Sequence, residues 1–235
     1  MRDGRRIAVV IPALDEERAI GRVLADVPSW VDRVIVADNG SRDGTAAVAR
    51  AARAIVVEEP EPGYGAACLA GLTAIGDADV VVFLDGDYSD HPEEMDSLVD
   101  PILRGEADLV IGSRVLGTRE AGALTPQQRF GNWLATRLIR GIWGVHYTDL
   151  GPFRAIGAPA LAGLGMTDRT YGWTVEMQIK AAMARLRSRE VPVRYRRRIG
   201  VSKISGTIKG TVRAGWIILA TIGRSALVHR RKAAT

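Results

Sequence analysis

VVVFLDGDYSDHP, residues 80–92, opens on five apolar residues and then sets out three acids, Asp85, Asp87 and Asp90, ahead of a proline. Five apolar residues cannot cross a membrane. An unalternating run of that length predicts a strand buried on both faces. The acids then fall where the strand leaves its sheet, at the carboxyl end, where open α/β sheets bind ligands. Two carboxylates two residues apart repel each other unless a cation compensates. Mg²⁺ and Mn²⁺, which take oxygen ligands and share them with phosphates, fit that need. Asp-Gly-Asp is also ordinary turn chemistry, so the surrounding pattern must decide.

Upstream, RIAVVI (6–11), RVIVA (33–37) and AIVV (54–57) read as further strands. A polar loop and helical spacing come after each of the first two. Ala19, Ile20, Val23, Leu24 and Val27 form one apolar stripe. Downstream, DLVI (108–111) is a fifth strand, and residues 92–103 and 126–140 read as helices, with Pro92 suited to a first turn. Residues 147–156 return toward the sheet, 175–186 are helical, and 191–195 form an edge strand. The repeat predicts an α/β fold: a Rossmann-like, mostly parallel sheet flanked by helices, with right-handed crossovers. Strand ends at Pro12, Asp38, Asp85 and Gly112 should converge on one crevice. They bring Asp15, Glu16, Asp38, Asp85, Asp87 and Arg114 together.

The chain has 235 residues and is 47% hydrophobic, enough for one substantial core. Its single cysteine, Cys68, and three scattered histidines suggest neither a disulfide framework nor a zinc site. The N-terminus runs straight into a strand pattern, so no signal peptide is expected, and no stretch is long enough to span a membrane. The expected location is the cytoplasm. Charge is unevenly placed. From residue 185 onward there are 14 Lys or Arg and one acid, Glu190, a net of +13; the rest nets −8. Residues 1–206 are read as the main domain and 207–235 as a basic amphipathic segment. That segment carries Trp216, Ile217, Ile218 and Leu219, and either lies in a membrane interface or packs on the core. A basic tail can also bind nucleic acid. Here no aromatic platform repeats, and an acidic crevice would repel a phosphate backbone.

G-x-G-x-x-G is absent after the first strand, where PALDEE stands instead, so this is not a dinucleotide fingerprint. Gly63 and Gly65 bracket Tyr64 before a helix, and amides there can face an anion or a ribose. A metal at Asp85 and Asp87 would neutralise a diphosphate as it leaves. Asp38 and the PALDEE turn would hold a nucleoside. Asp149, Trp173 and Glu176 would hold the transferred group, the indole covering the apolar face of a sugar and the acid taking hydroxyls.

VVIPALDEERAI (9–20), ADNGSRDGT (37–45), GYGAACLAG (63–71) and LDGDYSDHPEE (84–94) resemble the successive nucleotide-binding motifs of family 2 glycosyltransferases, which have the GT-A fold. IGSR, RFGNWLATRLI, TDLGPFRAI, WTVEMQIKA and EVPVRYRRRIGVSKISG resemble the polyprenyl- and dolichyl-phosphate sugar synthase branch. The resemblance implies that Pro12, Leu14, Glu16, Asp38 and Gly65 line the nucleotide pocket. Asp85 and Asp87 match the DxD pair holding Mg²⁺ or Mn²⁺ and the donor diphosphate. Arg114 and Arg129 match acceptor-side arginines, and Arg198, Ser202 and Lys203 a phosphate-binding segment. Asp149, Trp173 and Glu176 would sit by the donor sugar or acceptor. Ser89 stands where dolichyl-phosphate enzymes usually have Gln, so Asp90 is a substitute ligand candidate.

The expected reaction moves a hexose from a nucleoside diphosphate sugar, UDP-glucose rather than GDP-mannose by analogy, to a polyprenyl phosphate, with inversion. The protein would act peripherally on an anionic membrane surface. A phosphate acceptor needs orienting cations rather than a base; a hydroxyl acceptor needs a base, for which Asp149 is the first candidate. Two alternatives stay open: a transferase with a soluble sugar or small-molecule acceptor, and a nucleotide-sugar-binding protein without turnover. A homo-oligomer is also open.

Overall fold

The computed structural model describes residues 1–200 and the helix 208–233, the latter with side chains for residues 214–227. Seven strands form one sheet: β1 (Ile7–Ala13), β2 (Arg33–Asp38), β3 (Ile55–Glu58), β4 (Val80–Phe83), β5 (Leu109–Ser113), β6 (Arg154–Gly157) and β7 (Ser188–Pro192). Their order across the sheet is β3-β2-β1-β4-β6-β5-β7. β1 pairs in parallel with β2 and β4, and β3 with β2, as the strand–loop–helix repeat predicts.

The departure is β6. It inserts antiparallel between β4 and β5, with Val82 opposite Ala155 and Ile111 opposite Arg154. Its four residues, RAIG, carry no directional signal, and one short antiparallel strand in a parallel sheet is a common device. The last strand lies a few residues before its expected place and pairs with β5 in parallel.

Helices cover both faces. On one lie α1 (Glu17–Asp26), α2 (Thr45–Ala51) and α4 (Met95–Leu103); on the other α3 (Tyr64–Leu72), α5 (Pro126–Trp143), α6 (Ala158–Leu164), α7 (Trp173–Met183) and α8 (Ile208–Ala233). The central strands feed both layers by alternation. Ile7, Val9 and Ile11 pack with Ile20, Val23 and Met95; Ala8 and Val10 pack with Cys68 and Trp173 on the other side. Each fully buried aliphatic of this kind contributes roughly 1.5–3 kcal/mol.

α5 has explicit ends. The Thr125 hydroxyl accepts from the Gln128 amide at 3.2 Å, the Gln128 side chain takes the Thr125 amide at 2.8 Å, and Pro126 occupies the first turn. Gly144, at φ +73°, closes it. α8 packs on α5 and α7, with Thr221 and Ile222 buried while Trp216 stays exposed. Among the described residues no helix is long and apolar enough to cross a membrane.

Candidate active site

β1 sends its crossover to β2 on one side and meets β4 on the other, so a crevice opens outside the carboxyl ends of these strands. Two cavities occupy it. A smaller one, about 250 Å³, is walled by Pro12, Leu14, Glu16, Asn39, Gly63 and Tyr64. A larger one, about 670 Å³, runs along α5 past Arg114, Arg119, Arg129, Arg137, Arg140 and His146. Both include Tyr64, Asp85, Asp87, Tyr171 and Arg198, and there they meet.

The acidic loop is tightly built. The Asp87 carboxylate accepts from the Ser89 amide at 2.8 Å and from the Ser89 hydroxyl. Its other oxygen lies 3.0 Å from the Arg198 guanidinium, which also reaches Glu16 at 3.1 Å. Asp90 accepts from the Asp85 amide at 3.2 Å. Between them Tyr88 sits at φ +65°, a conformation costly for a non-glycine residue. Its ring lies under the Arg196 guanidinium at 3.3 Å, and its hydroxyl donates to Asp26 at 2.8 Å.

Burial, with the charge of Asp87 next in weight, pushes the Asp85 carboxyl up to about 7, against the pull of Arg198. Burial likewise raises Asp90 well above the carboxylate range. One oxygen of Asp85 and one of Asp90 are buried with no hydrogen-bond partner. Orphaned carboxylate oxygens and raised proton affinity mark a site short of positive charge, and oxygen donors suit Mg²⁺ or Mn²⁺. Among the described residues no three acidic, His or Cys side chains are arranged to hold an ion by themselves. A cation here would be held by one or two carboxylates and completed by substrate phosphates. Ser89 caps Asp87, and Asp90 braces the Asp85 backbone.

Several expected site residues have other work. Asp149 is fully buried, and both carboxylate oxygens hold Arg114, through Nε at 2.7 Å and Nη2 at 2.7 Å, with the Arg114 amide added at 2.8 Å. An acid so engaged is not a free base; it orients Arg114. Burial works against the Arg114 charge, but Asp149 outweighs it and raises the guanidinium above its ordinary value.

Trp173 is 1% exposed and packs edge-on against Phe83 at 5.8 Å, so it belongs to the core and not to a sugar platform. Glu176 lies outside both cavities. It accepts from the Thr167 and Asp168 amides and pairs with Lys180 at 2.8 Å. Gly65 gives its amide to the Thr170 carbonyl at 3.0 Å, so that amide does not face an anion. A Cβ there would collide with the Asp168 carbonyl, which explains the glycine. Asp38 accepts from the Ser41 amide at 3.1 Å and steadies its own turn, while Asn39 beside it lines the cavity. Ser202 and Lys203 lie outside the described residues.

Other contributors are visible only in three dimensions. The loop carrying Asp149 is held from four elements. Glu190 of β7 takes the Thr148 and Asp149 amides. Gln178 of α7 donates to the Asp149 carbonyl, and Asn132 of α5 donates to the Thr148 carbonyl. Arg154 of β6, fully buried and lowered to about 10 by burial, donates to the Leu150 and Gly151 carbonyls. Residues 132, 154, 178 and 190 all fall within stretches that carry the family likeness, but nothing local to any of them shows that they meet at one loop. Arg137 and Arg140 are different: they stand at helical spacing from Trp133 and Arg129 on α5, a pattern that the sequence does carry.

The family model for Glycosyl transferase family 2 matches residues 8–160. An uncharacterized glycosyltransferase of Mycobacterium tuberculosis is 37% identical over 211 residues, covering 89% of this chain and 94% of that protein. A dolichyl-phosphate hexose transferase of Haloferax volcanii is 36% identical over 202 residues, covering 84% and 86%. Glucosyl-3-phosphoglycerate synthase of Mycobacterium tuberculosis, solved with Mn²⁺, UDP-glucose and phosphoglyceric acid, superposes with a TM-score of 0.76 at 26% identity, over 95% of this chain and 80% of that one. Likeness at this level therefore extends to enzymes of both acceptor kinds. The assignment to the polyprenyl- and dolichyl-phosphate branch is corrected: the solved complex matched across nearly the whole chain holds a soluble acceptor. One ground for expecting a peripheral membrane protein, the lipid acceptor, goes with it; the basic charge after residue 185 and the exposed Trp216 stand apart from that ground.

Proposed function

The chain belongs to glycosyl transferase family 2 and is a nucleotide-sugar-dependent hexosyltransferase, and on that premise we propose that it transfers glucose from UDP-glucose to a small, soluble, anionic acceptor. One observation carries the reading: a narrow cavity with an acidic mouth opens into a wider one lined by guanidinium groups, and they meet at Asp85 and Asp87. A nucleoside diphosphate sugar and an anionic acceptor need that pairing.

The donor half uses Pro12, Leu14 and Asn39 as walls for the nucleoside, with Asp38 steadying the turn beside them. Asp85 and Asp87 are the oxygen donors for Mg²⁺ or Mn²⁺, which when bound neutralises the departing diphosphate. Mn²⁺ and UDP-glucose in the matched synthase support this donor and cation. On the acceptor side Arg114, preset by Asp149, presents a fixed fork to a phosphate or carboxylate. Among the described residues no carboxylate pairs with Arg129, Arg137 or Arg140, so these remain available for a second anionic group. Phosphoglyceric acid, the acceptor in the matched synthase, carries both kinds of group. Holding donor and acceptor at one neck converts an encounter in solution into a positioned reaction.

The test is a transfer screen crossing UDP-glucose and GDP-mannose with 3-phosphoglycerate, a hexose phosphate and a polyprenyl phosphate, each with Mn²⁺ and with chelator. UDP-glucose with a soluble phosphorylated acceptor should give product only with the metal. Transfer confined to the polyprenyl phosphate, or to GDP-mannose, overturns the proposal.

A further inference from the structure

The segment after β7 crosses the crevice mouth as a strap, tied on both sides. Its Tyr195 amide donates to the Thr118 carbonyl at 2.9 Å, and its Arg197 amide to the Glu120 carboxylate at 2.7 Å. On the other side its Arg196 amide donates to the Ser89 carbonyl at 3.0 Å and its Ile199 amide to the Asp87 carbonyl at 2.9 Å. Arg198 falls between these last two anchors. Its backbone is thereby held beside the acidic loop, and its guanidinium bridges Asp87 and Glu16.

We infer that Arg198 is the internal counter-cation of the metal position: it holds Asp87 while no divalent ion is bound, and must release that carboxylate before the ion can take it. This rests on the reading of Asp85 and Asp87 as the cation-binding pair. Two observations point the same way. The guanidinium lies 3.0 Å from an Asp87 oxygen, where a divalent ion using that oxygen would meet a like charge. Its fit is also incomplete: Arg198 Nε is buried without a partner, as are one oxygen of Asp85 and one of Asp90. A monovalent fork satisfies part of an acidic cluster that a divalent ion completed by a diphosphate would satisfy further.

Release gives the side chain a destination. Arg198 lines both cavities, so leaving Asp87 turns its charge toward the diphosphate or the acceptor anion without moving the strap. A bound diphosphate would both attract the Arg198 guanidinium and supply further oxygen ligands to an ion held by Asp85 and Asp87. Metal binding without nucleotide should be weak, and binding with it strong. Arg198 is thus a residue with two opposed effects, hindering metal alone and aiding transfer.

The test is Mn²⁺ binding to the full chain, read from the electron paramagnetic resonance signal of free Mn²⁺, with and without UDP. Wild type, Arg198→Lys and Arg198→Gln are compared after thermal melts confirm folding. Without UDP, Arg198→Gln should bind Mn²⁺ about tenfold more tightly than wild type, the effect of one removed like charge, with Arg198→Lys nearer wild type. Transfer by Arg198→Gln should nevertheless fall. Equal Mn²⁺ affinities without UDP, with UDP-dependent binding intact in all three, overturn the inference and leave the metal site standing. No Mn²⁺ binding by any variant with UDP overturns the metal-site reading and the inference with it.

Discussion

The two halves of the crevice are built by different means. The donor half is assembled from consecutive parallel units: β1, β2 and β4 each end in a short polar loop, and those strand ends and loops supply Pro12, Leu14, Glu16, Asn39, Asp85 and Asp87 within the first 87 residues. The acceptor half is assembled from distant pieces. Arg114 comes just after β5, Asp149 precedes β6, and Glu190 and Arg198 lie on or beyond β7. The first half depends on strand ends, where neighbouring strands fix the loops. The second depends on side chains clamping one another, and a single lost partner should spread through it.

Asp87→Ala tests the donor half and should have the largest effect, at least about a thousandfold in kcat with Mn²⁺ and UDP-glucose, since it removes a proposed metal ligand at the departing diphosphate. A loss below about tenfold would place the metal elsewhere. Asp149→Asn tests the clamped half. Arg114 would be left buried beside a neutral partner, at a cost of about 3–5 kcal/mol. Denaturant melts should show it, with transfer falling as Arg114 loses its orientation. Wild-type stability would mean the acceptor half does not depend on that pair.

Arg140→Ala should raise the KM for an anionic acceptor about tenfold at low salt while leaving the KM for UDP-glucose alone. An equal shift in both would blur the division between the halves. The pH dependence of the metal-free protein gives another distinction. Asp85 binds its proton more tightly folded than unfolded, so the native state holds the extra proton between the ordinary carboxylate range and about 7. Stability should therefore decline as pH rises through that window, and Mn²⁺ with UDP should flatten the decline; melts at about pH 5, 6 and 7 show which. The smallest effect belongs to Glu176→Gln. It should cost about 1–2 kcal/mol of stability by weakening the Thr167 and Asp168 bonds, with the donor KM unchanged. A specific loss of donor affinity would return Glu176 to the site.

Sequence alone determined the α/β class, the positions of the central strands and the location of the acidic pair. Those features depend on local pattern: a short apolar run bounded by turn residues, within a strand–loop–helix repeat, reads as an inner strand, and the loop after it emerges at the sheet's carboxyl edge. Pro12, Leu14, Glu16, Asp85 and Asp87 were legible as crevice residues for that reason. The family's motifs also pointed to Arg114 and Arg129, which line the larger cavity, though their branch-specific likeness misled about the acceptor. The surroundings of Asp149, Trp173, Glu176 and Gly65 were decided only in three dimensions. An aspartate reads the same whether it faces solvent or is closed between Arg114, Glu190, Asn132 and Gln178. A tryptophan beside a glycine reads the same on a cavity wall or against Phe83. The antiparallel insertion of β6 is of the same kind, because four residues of RAIG specify extension but not direction. Pairing with β4 and β5 supplies the direction, and with it the placing of Arg154 beneath the loop that carries Asp149.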